Sequence, residues 1–285
     1  MAIKIMRKKK GKVYDIIFIV FVFFLLLIGS LLTFSSLIKE EIINTEMTKY
    51  SIGSFTKEEL QNNNLKSTKT ISENANIDIA SPDFFRVLTN ISKVERESVL
   101  GAIIIKDLGV SLSILHGTNT QNLLVGVTTV KNDQVMGKGN YVLAGHHMRD
   151  DSLLFGPLLK VEKGTYIHIT DKRQIFTYKV KAKKIVQETD VSVLEDTGSP
   201  ELTLITCDVT GIDTDKRVII TAELVDTSDN SDQAEFEGKY GYGMGTEPSW
   251  HSNVTYFLWV SLVVGLPCVL VFIMLIIKRR KDEGR

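Results

Sequence analysis

Cys207 closes the run Leu202-Thr203-Leu204-Ile205-Thr206, whose aliphatic and β-branched residues read as a strand that delivers a thiol to a loop mouth. Gly211, Asp213 and Asp215 are turn formers, and Arg217 opens a second strand pattern, Val218 to Val225, so a hairpin-like unit brings guanidinium toward sulfur. Upstream, Tyr141-Val142-Leu143-Ala144 is another short strand, after which Gly145 lets the backbone turn tightly before His146. A thiol, an imidazole and a guanidinium at strand ends are the parts that acyl transfer by cysteine needs. They supply the nucleophile, the group that exchanges protons with the thiol and the leaving amine, and a positive donor at the developing oxyanion. A neighbouring imidazolium and guanidinium also favour the thiolate, which is the form that attacks.

Each residue has a plainer reading beside this one. A lone cysteine is more often a small buried hydrophobe than a nucleophile. The chain holds only Cys207 and Cys268, and the second falls in an apolar run near the other end, so the segment around Cys207 has no disulfide open to it. His147 competes with His146 for the proton-transfer role, although adjacent residues at a strand end point opposite ways. His116, His168 and His251 read as ordinary side chains, and Lys216 and Arg149 are the other nearby cations. Lys216 faces away from Arg217 once the strand has begun.

The elements that must position this chemistry follow from composition. With 285 residues, 44% of them hydrophobic, the chain can bury one full core and carry extra segments. Its formal net charge of zero offers no bulk attraction to nucleic acid. Lys4, Arg7, Lys8, Lys9, Lys10 and Lys12 crowd one end and Lys278, Arg279, Arg280 and Lys281 the other, each cluster against an apolar run. Ile16 to Ile38 has no charged residue over 23 positions. At about 1.5 Å per residue that crosses a hydrocarbon core of about 30 Å. A cleaved signal peptide is the competing reading, but the run exceeds a usual h-region and Gly29 to Ser35 offers no small-x-small cleavage site. Val254 to Ile277 is a second uncharged run, with Trp250, Tyr256 and Trp259 near its outer end.

The basic flanks put both termini in the cytoplasm and residues 39–253 on the far side of the membrane. The expected order is a basic tail (1–15), a transmembrane helix (16–38), an extracytoplasmic stalk and N-terminal extension (39–97), a catalytic domain (98–226), a flexible tether (227–253), a second transmembrane helix (254–277) and a basic tail (278–285). Lys39 to Asn76, polar and containing Asn62, Asn63 and Asn64, reads as a helical or partly disordered stalk. Ser81 is placed to cap a short helix with Pro82 at its first position. Short strands are expected at Leu100 to Ile105, Leu112 to Leu115, Tyr141 to Ala144, Thr165 to Ile169, Gln174 to Ile185, Leu202 to Thr206 and Arg217 to Val225. Brief helical turns are expected at Asn119 to Val127 and Leu153 to Lys160, and the whole argues for a barrel or sandwich. No Cys/His spacing resembles a zinc site.

Thr203-Leu204-Ile205-Thr206-Cys207, with Ala144-Gly145-His146 upstream and Arg217 after it, resembles the sortase family. The resemblance covers roughly residues 98–226 and takes in the helix from Leu153 to Leu159 and the segment Thr189-Asp190-Val191-Ser192-Val193-Leu194. It implies a mainly β fold, an eight-stranded barrel with short helices, here flanked by two transmembrane helices. It also implies a transpeptidase of Gram-positive surfaces whose cysteine attacks the Thr carbonyl of an LPxTG-type sorting signal, the acyl-enzyme then being resolved by an amine. Carried over residue by residue, Cys207 is the nucleophile, His146 the general acid/base and Arg217 the oxyanion and substrate-backbone donor, with Thr206 assisting near the oxyanion. Ala144, Val186, Val191, Val193 and Leu194 would line the groove for the signal's Leu and Pro.

Gln134-Val135-Met136-Gly137 and Leu153 to Leu158 are similar to class A, the housekeeping sortases that attach proteins to the cell-wall precursor lipid II, and class A is the favoured reading. The second span is more typical of class C, which polymerises pili onto a pilin lysine. Class C carries an Asp-Pro-aromatic lid motif, where this chain has only Ser81-Pro82-Asp83-Phe84. Two rival functions are a cysteine hydrolase with water as acceptor and a non-catalytic surface scaffold. Glu188, Asp190, Glu195, Asp196 and Asp133 invite calcium, as bound by some class A enzymes, but the loop from Val127 to Met136 holds a single acid. No cofactor is therefore expected. The expected partners are LPxTG-type precursors, lipid II or another amine acceptor, and the membrane.

Overall fold

The computed structural model describes residues 38–67, 82–148, 151–208 and 214–229, with scattered helical positions between 18 and 35. Eight strands close a barrel in the order β1 (Val99–Ile105), β2 (Val110–Leu115), β3 (Val127–Thr129), β4 (Asn140–Ala144), β7 (Glu201–Cys207), β8 (Lys216–Asp229), β6 (Gln174–Gln187) and β5 (Tyr166–Thr170), and β5 pairs back onto β1. Closure removes the exposed edges that a sheet of short strands would otherwise present. All but β3 coincide with a sequence pattern. Its three residues, Val127-Thr128-Thr129, are too few to show an alternation, and its partners β2 and β4 are what make it a strand.

Most strands are joined as antiparallel neighbours, but β2 and β3 run parallel, and so do β4 and β7, from Asn140 opposite Glu201 to Ala144 opposite Ile205. The second parallel pair needs a long crossover, and β5 and β6 lie within it. The pairing sets the C-terminal ends of β4 and β7 side by side. Their side chains alternate between two apolar clusters. Tyr141, Leu143, Leu202, Leu204, Val218 and Ile220 enter the main core, whereas Val142, Ala144, Ile205, Cys207 and Ile219 form a second cluster with Leu123 and Val130.

The segment expected as a stalk belongs to the domain as far as Ser67. Helix α1 over residues 39–49, a 3₁₀ turn at Ile52–Ser54 and α2 (Lys57–Ser67) bury Ile43, Ile52, Phe55 and Leu60 in the main core. Average polarity hid these few anchors. The asparagine run ties α2 to the barrel, since Asn63 Nδ2 donates to the carbonyls of Val99 and Arg96, and Asn64 Nδ2 to that of Leu100. Buried Lys172 donates to the Phe55 carbonyl at 2.6 Å, and the Arg96 guanidinium lies 3.9 Å from the Phe55 ring centre.

Two helix expectations shift. The cap of α3 (Phe84–Asn90) is Asp83, whose carboxylate accepts from the Arg86 N–H, so Pro82 stays outside; Ser81 lies outside the described residues. The helix expected from Leu153 is a 3₁₀ turn confined to Gly156–Lys160, with Pro157 at its start. Strand β8 runs to Asp229, past the boundary expected at 226. Among the described residues no helix is long and apolar enough to cross a membrane. The described positions of the run from 16 to 38 are helical, with Phe18, Phe21, Phe24 and Leu25 exposed, and the run over 254–277 lies outside the described residues.

Candidate active site

Cys207 is the last residue of β7 and the direct cross-strand partner of Arg217 on β8. Both share the strand face that carries Ile205 and Ile219, so thiol and guanidinium emerge on one side of the sheet. The end of β4 is fixed to the same place: the Gly145 N–H donates to the Ile205 carbonyl at 3.1 Å, and the Thr206 hydroxyl donates to the Gly145 carbonyl at 2.9 Å. Gly145 is required by space rather than by a tight turn. A Cβ there would come within 2.8 Å of the Phe155 ring and 3.1 Å of Val127, and its φ is not in the left-handed region.

Past the end of β4, His146 and His147 are both buried, at 2% and 0% exposure. His147 is fully buried, with Nδ1 3.3 Å from the Cys207 carbonyl and Nε2 3.2 Å from Asp151 Oδ1. Both of its ring nitrogens thus face oxygen acceptors, and the ring braces the backbone at Cys207. Arg217 is 9% exposed and closely held. Its Nη1 donates to the carbonyls of Thr214 (2.6 Å) and Lys216 (3.0 Å), and its Nη2 to Glu188 Oε2 (2.6 Å). Lys216 is exposed on the opposite side, as the alternation requires. Asp208 accepts from the Thr214 hydroxyl at 2.7 Å and so steadies one of the carbonyls that hold Arg217.

Known proteins similar to this chain fall in one family. A sequence model of the sortase domain matches residues 103–225. Sortase A of Listeria monocytogenes is 42% identical over 219 residues, covering 76% of this chain and 94% of the relative. The chain belongs to the sortase family. Sortase A of Streptococcus agalactiae is 30% identical over 82% of this chain and 97% of its own length. A solved structure of Listeria monocytogenes sortase A is 48% identical, covers 50% of this chain and 97% of that one, and has a TM-score of 0.48. The chain is therefore a cysteine transpeptidase of the sortase type, most like class A.

In this sortase the thiol is not at an open loop mouth. Cys207 is 1% exposed, inside the second cluster, and Val186, Val193 and Leu194 pack against that cluster. Ala144, Val186, Val193 and Leu194 are thus brought together with Cys207, whereas Val191 opens the 3₁₀ turn Val191–Leu194 with 66% of its surface exposed.

The wall that carries Val193 and Leu194 is riveted by Asn140, which the sequence reading left unremarked. Its Nδ2 donates to the carbonyls of Val193 (3.0 Å) and Glu195 (2.9 Å), its Oδ1 accepts from the Thr203 hydroxyl (2.7 Å), and its N–H donates to Asp196 (2.7 Å). Asn140→Ala strands the Val193 and Glu195 carbonyls and the Thr203 hydroxyl at a site that is only 3% exposed, while the backbone bond to Asp196 remains. It should cost about 2–3 kcal/mol of stability and raise KM for a sorting peptide more than it lowers kcat. Denaturant unfolding with steady-state kinetics checks both; an unchanged KM would show that the wall does not need its rivet.

Asp196 completes the same contact. The Asn140 N–H, and after it the Lys131 ammonium at 3.0 Å, hold its carboxyl below the usual carboxylate range. A depressed carboxyl contributes order above its unfolded pKa and loses it as pH falls through the folded value. Hydrogen-exchange protection over residues 189–196, measured relative to the intrinsic rate at each pH, should therefore be flat around neutrality and fall below about pH 4; a loss of protection already at pH 6 would contradict this. Of the acids weighed for calcium, Asp196 faces Lys131, Glu188 faces Arg217 and Asp190 caps the turn through Ser192. Among the described residues no group of three or more His, Cys, Asp or Glu side chains is placed to hold a metal ion.

Proposed function

We propose that this sortase is anchored in the membrane by spans at 16–38 and 254–277, with both termini cytoplasmic, and that it cleaves an LPxTG-type signal and transfers the protein to a cell-wall precursor amine. The uncharged runs and their basic flanks support the topology. The register that sets Cys207 opposite Arg217 is the observation that carries the chemistry.

On this reading the signal's Leu and Pro enter against Ala144, Val186, Val193 and Leu194, with Val191 at the open end. Apolar groups of the signal replace apolar neighbours of Cys207, and proline's fixed φ lowers the ordering cost. Uncovering the thiol and binding the signal are then one event. The Cys207 thiolate attacks the Thr carbonyl, Arg217 donates to the oxyanion, and the tetrahedral intermediate collapses as His146 passes a proton to the departing amine. Thr206 supports the oxyanion side by fixing Gly145, and with it His146, against β7. An incoming amine, deprotonated by His146, attacks the thioacyl carbonyl and releases Cys207. The amine outcompetes water because it is held in place.

Incubating the full chain in lipid nanodiscs with an LPxTG peptide and a glycine-type amine, a pilin-type lysine or no amine tests the reading. Transfer to the glycine-type amine is expected. Preference for lysine would favour the class C alternative, to which the second apolar run points, and equal product without amine would favour a hydrolase. Arg217→Lys keeps the charge but loses the fork, and kcat/KM should fall about 100-fold or more. Full turnover in that variant would remove Arg217 from the mechanism.

A further inference from the structure

We infer that Glu188 is a positioning residue for Arg217, fixing the plane of its guanidinium and linking it to the segment that walls the groove. The inference rests on the role proposed above for Arg217. A guanidinium has five N–H donors. Both donors of Nη1 are taken by backbone carbonyls, those of Thr214 and Lys216, and one donor of Nη2 is taken by Glu188. The Nε–H and the second Nη2–H are left for a substrate oxygen. Without Glu188 the group is held at one corner only, on Nη1, and can pivot there. The carboxylate at 2.6 Å supplies the second fixed point.

Glu188 itself is placed by the fold. Val186 pairs with Arg217 across β6 and β8, and the Glu188 N–H donates to the Asp215 carbonyl at 2.6 Å, so the carboxylate arrives from a backbone already tied to the Arg217 strand. Two residues on, Asp190 caps the turn that carries Val193 and Leu194. The donor for the oxyanion and the wall that receives the signal are thus joined through a few residues of one strand end. The Glu188 side chain is 49% exposed, so its ion pair adds little to stability. A catalytic effect can therefore be separated from a folding one.

The test is a double-mutant cycle on the full chain in nanodiscs, reading single-turnover acylation and steady-state kcat and KM with an LPxTG peptide. Glu188→Ala should lower the acylation rate about 10-fold with KM within about twofold, a loss within the range for misplacing a catalytic group. Glu188→Gln keeps an acceptor for Nη2 and should restore most of the rate. In the Arg217→Ala background Glu188→Ala should change the residual rate by less than about twofold, because a residue that acts through Arg217 has nothing left to position. A wild-type or raised rate in Glu188→Ala, or an equal loss with and without Arg217, overturns the inference while leaving Arg217 in its role. Full activity in Arg217→Ala alone removes the donor and overturns both.

Discussion

Cys207→Ala abolishes transfer and leaves the barrel folded. Removing the atom proposed to form the acyl-enzyme should cut turnover about 10⁴-fold or more, to the level that binding and oxyanion donors sustain alone. The structural cost is small because the substitution removes one sulfur from a cluster of Val142, Ala144, Ile205 and Ile219 that can partly close over the space. The backbone contacts survive, since the Cys207 ladder to β8 and its carbonyl near His147 Nδ1 do not involve the thiol. Stability should fall by about 1 kcal/mol, a shift of about 2–4 °C in Tm for a domain of this size. Peptide cleavage and a thermal melt of the same preparation decide it. Turnover within tenfold of the wild type would mean that some other group attacks, and a collapsed melt would mean that the thiol is mainly a packing residue.

The strand ends beside Cys207, His146 and Arg217 were legible because each strand's pattern is local and turn residues mark where it stops. The TLITC run and its two companions carried the family as well. What stayed hidden depends on which strands become neighbours. Glu188 and Arg217 are separated by the whole of β7, and only the direct β6 and β8 pairing brings them together. The charge of Glu188 at the end of one strand pattern and of Arg217 at the start of another was the available signal, and it needed the strand order to be useful. Asn140 was hidden for a similar reason: its four hydrogen bonds reach Thr203 on β7 and the segment before it, none of which is near in sequence. The N-terminal extension failed differently. Ile43, Ile52, Phe55 and Leu60 are too widely spaced among polar residues to signal a docked element, and their burial is decided by the barrel surface that receives them.

The adjacent His146 and His147 are both buried, and they carry different expectations for catalysis. His146→Ala should lower kcat by about 10²–10⁴, the range of a general acid/base, and should also cost stability, because the residue is only 2% exposed. His147→Ala should act through stability alone. Its ring is fully buried, and removing it leaves a cavity and deprives the Cys207 carbonyl of its neighbour. A loss of about 2–4 kcal/mol follows from that cavity. Because His147 touches the backbone of the nucleophile and not the reacting atoms, the rate per folded molecule should stay within about tenfold. His147→Gln, which can still donate to a carbonyl, should recover part of the stability. Measuring kcat on the folded fraction alone separates the two effects, since an unstable variant otherwise mimics a dead one. A His147 variant that folds well and turns over nothing, beside an active His146 variant, would transfer the proton-carrying role to His147 and place the catalytic imidazole on the Asp151 side of the strand.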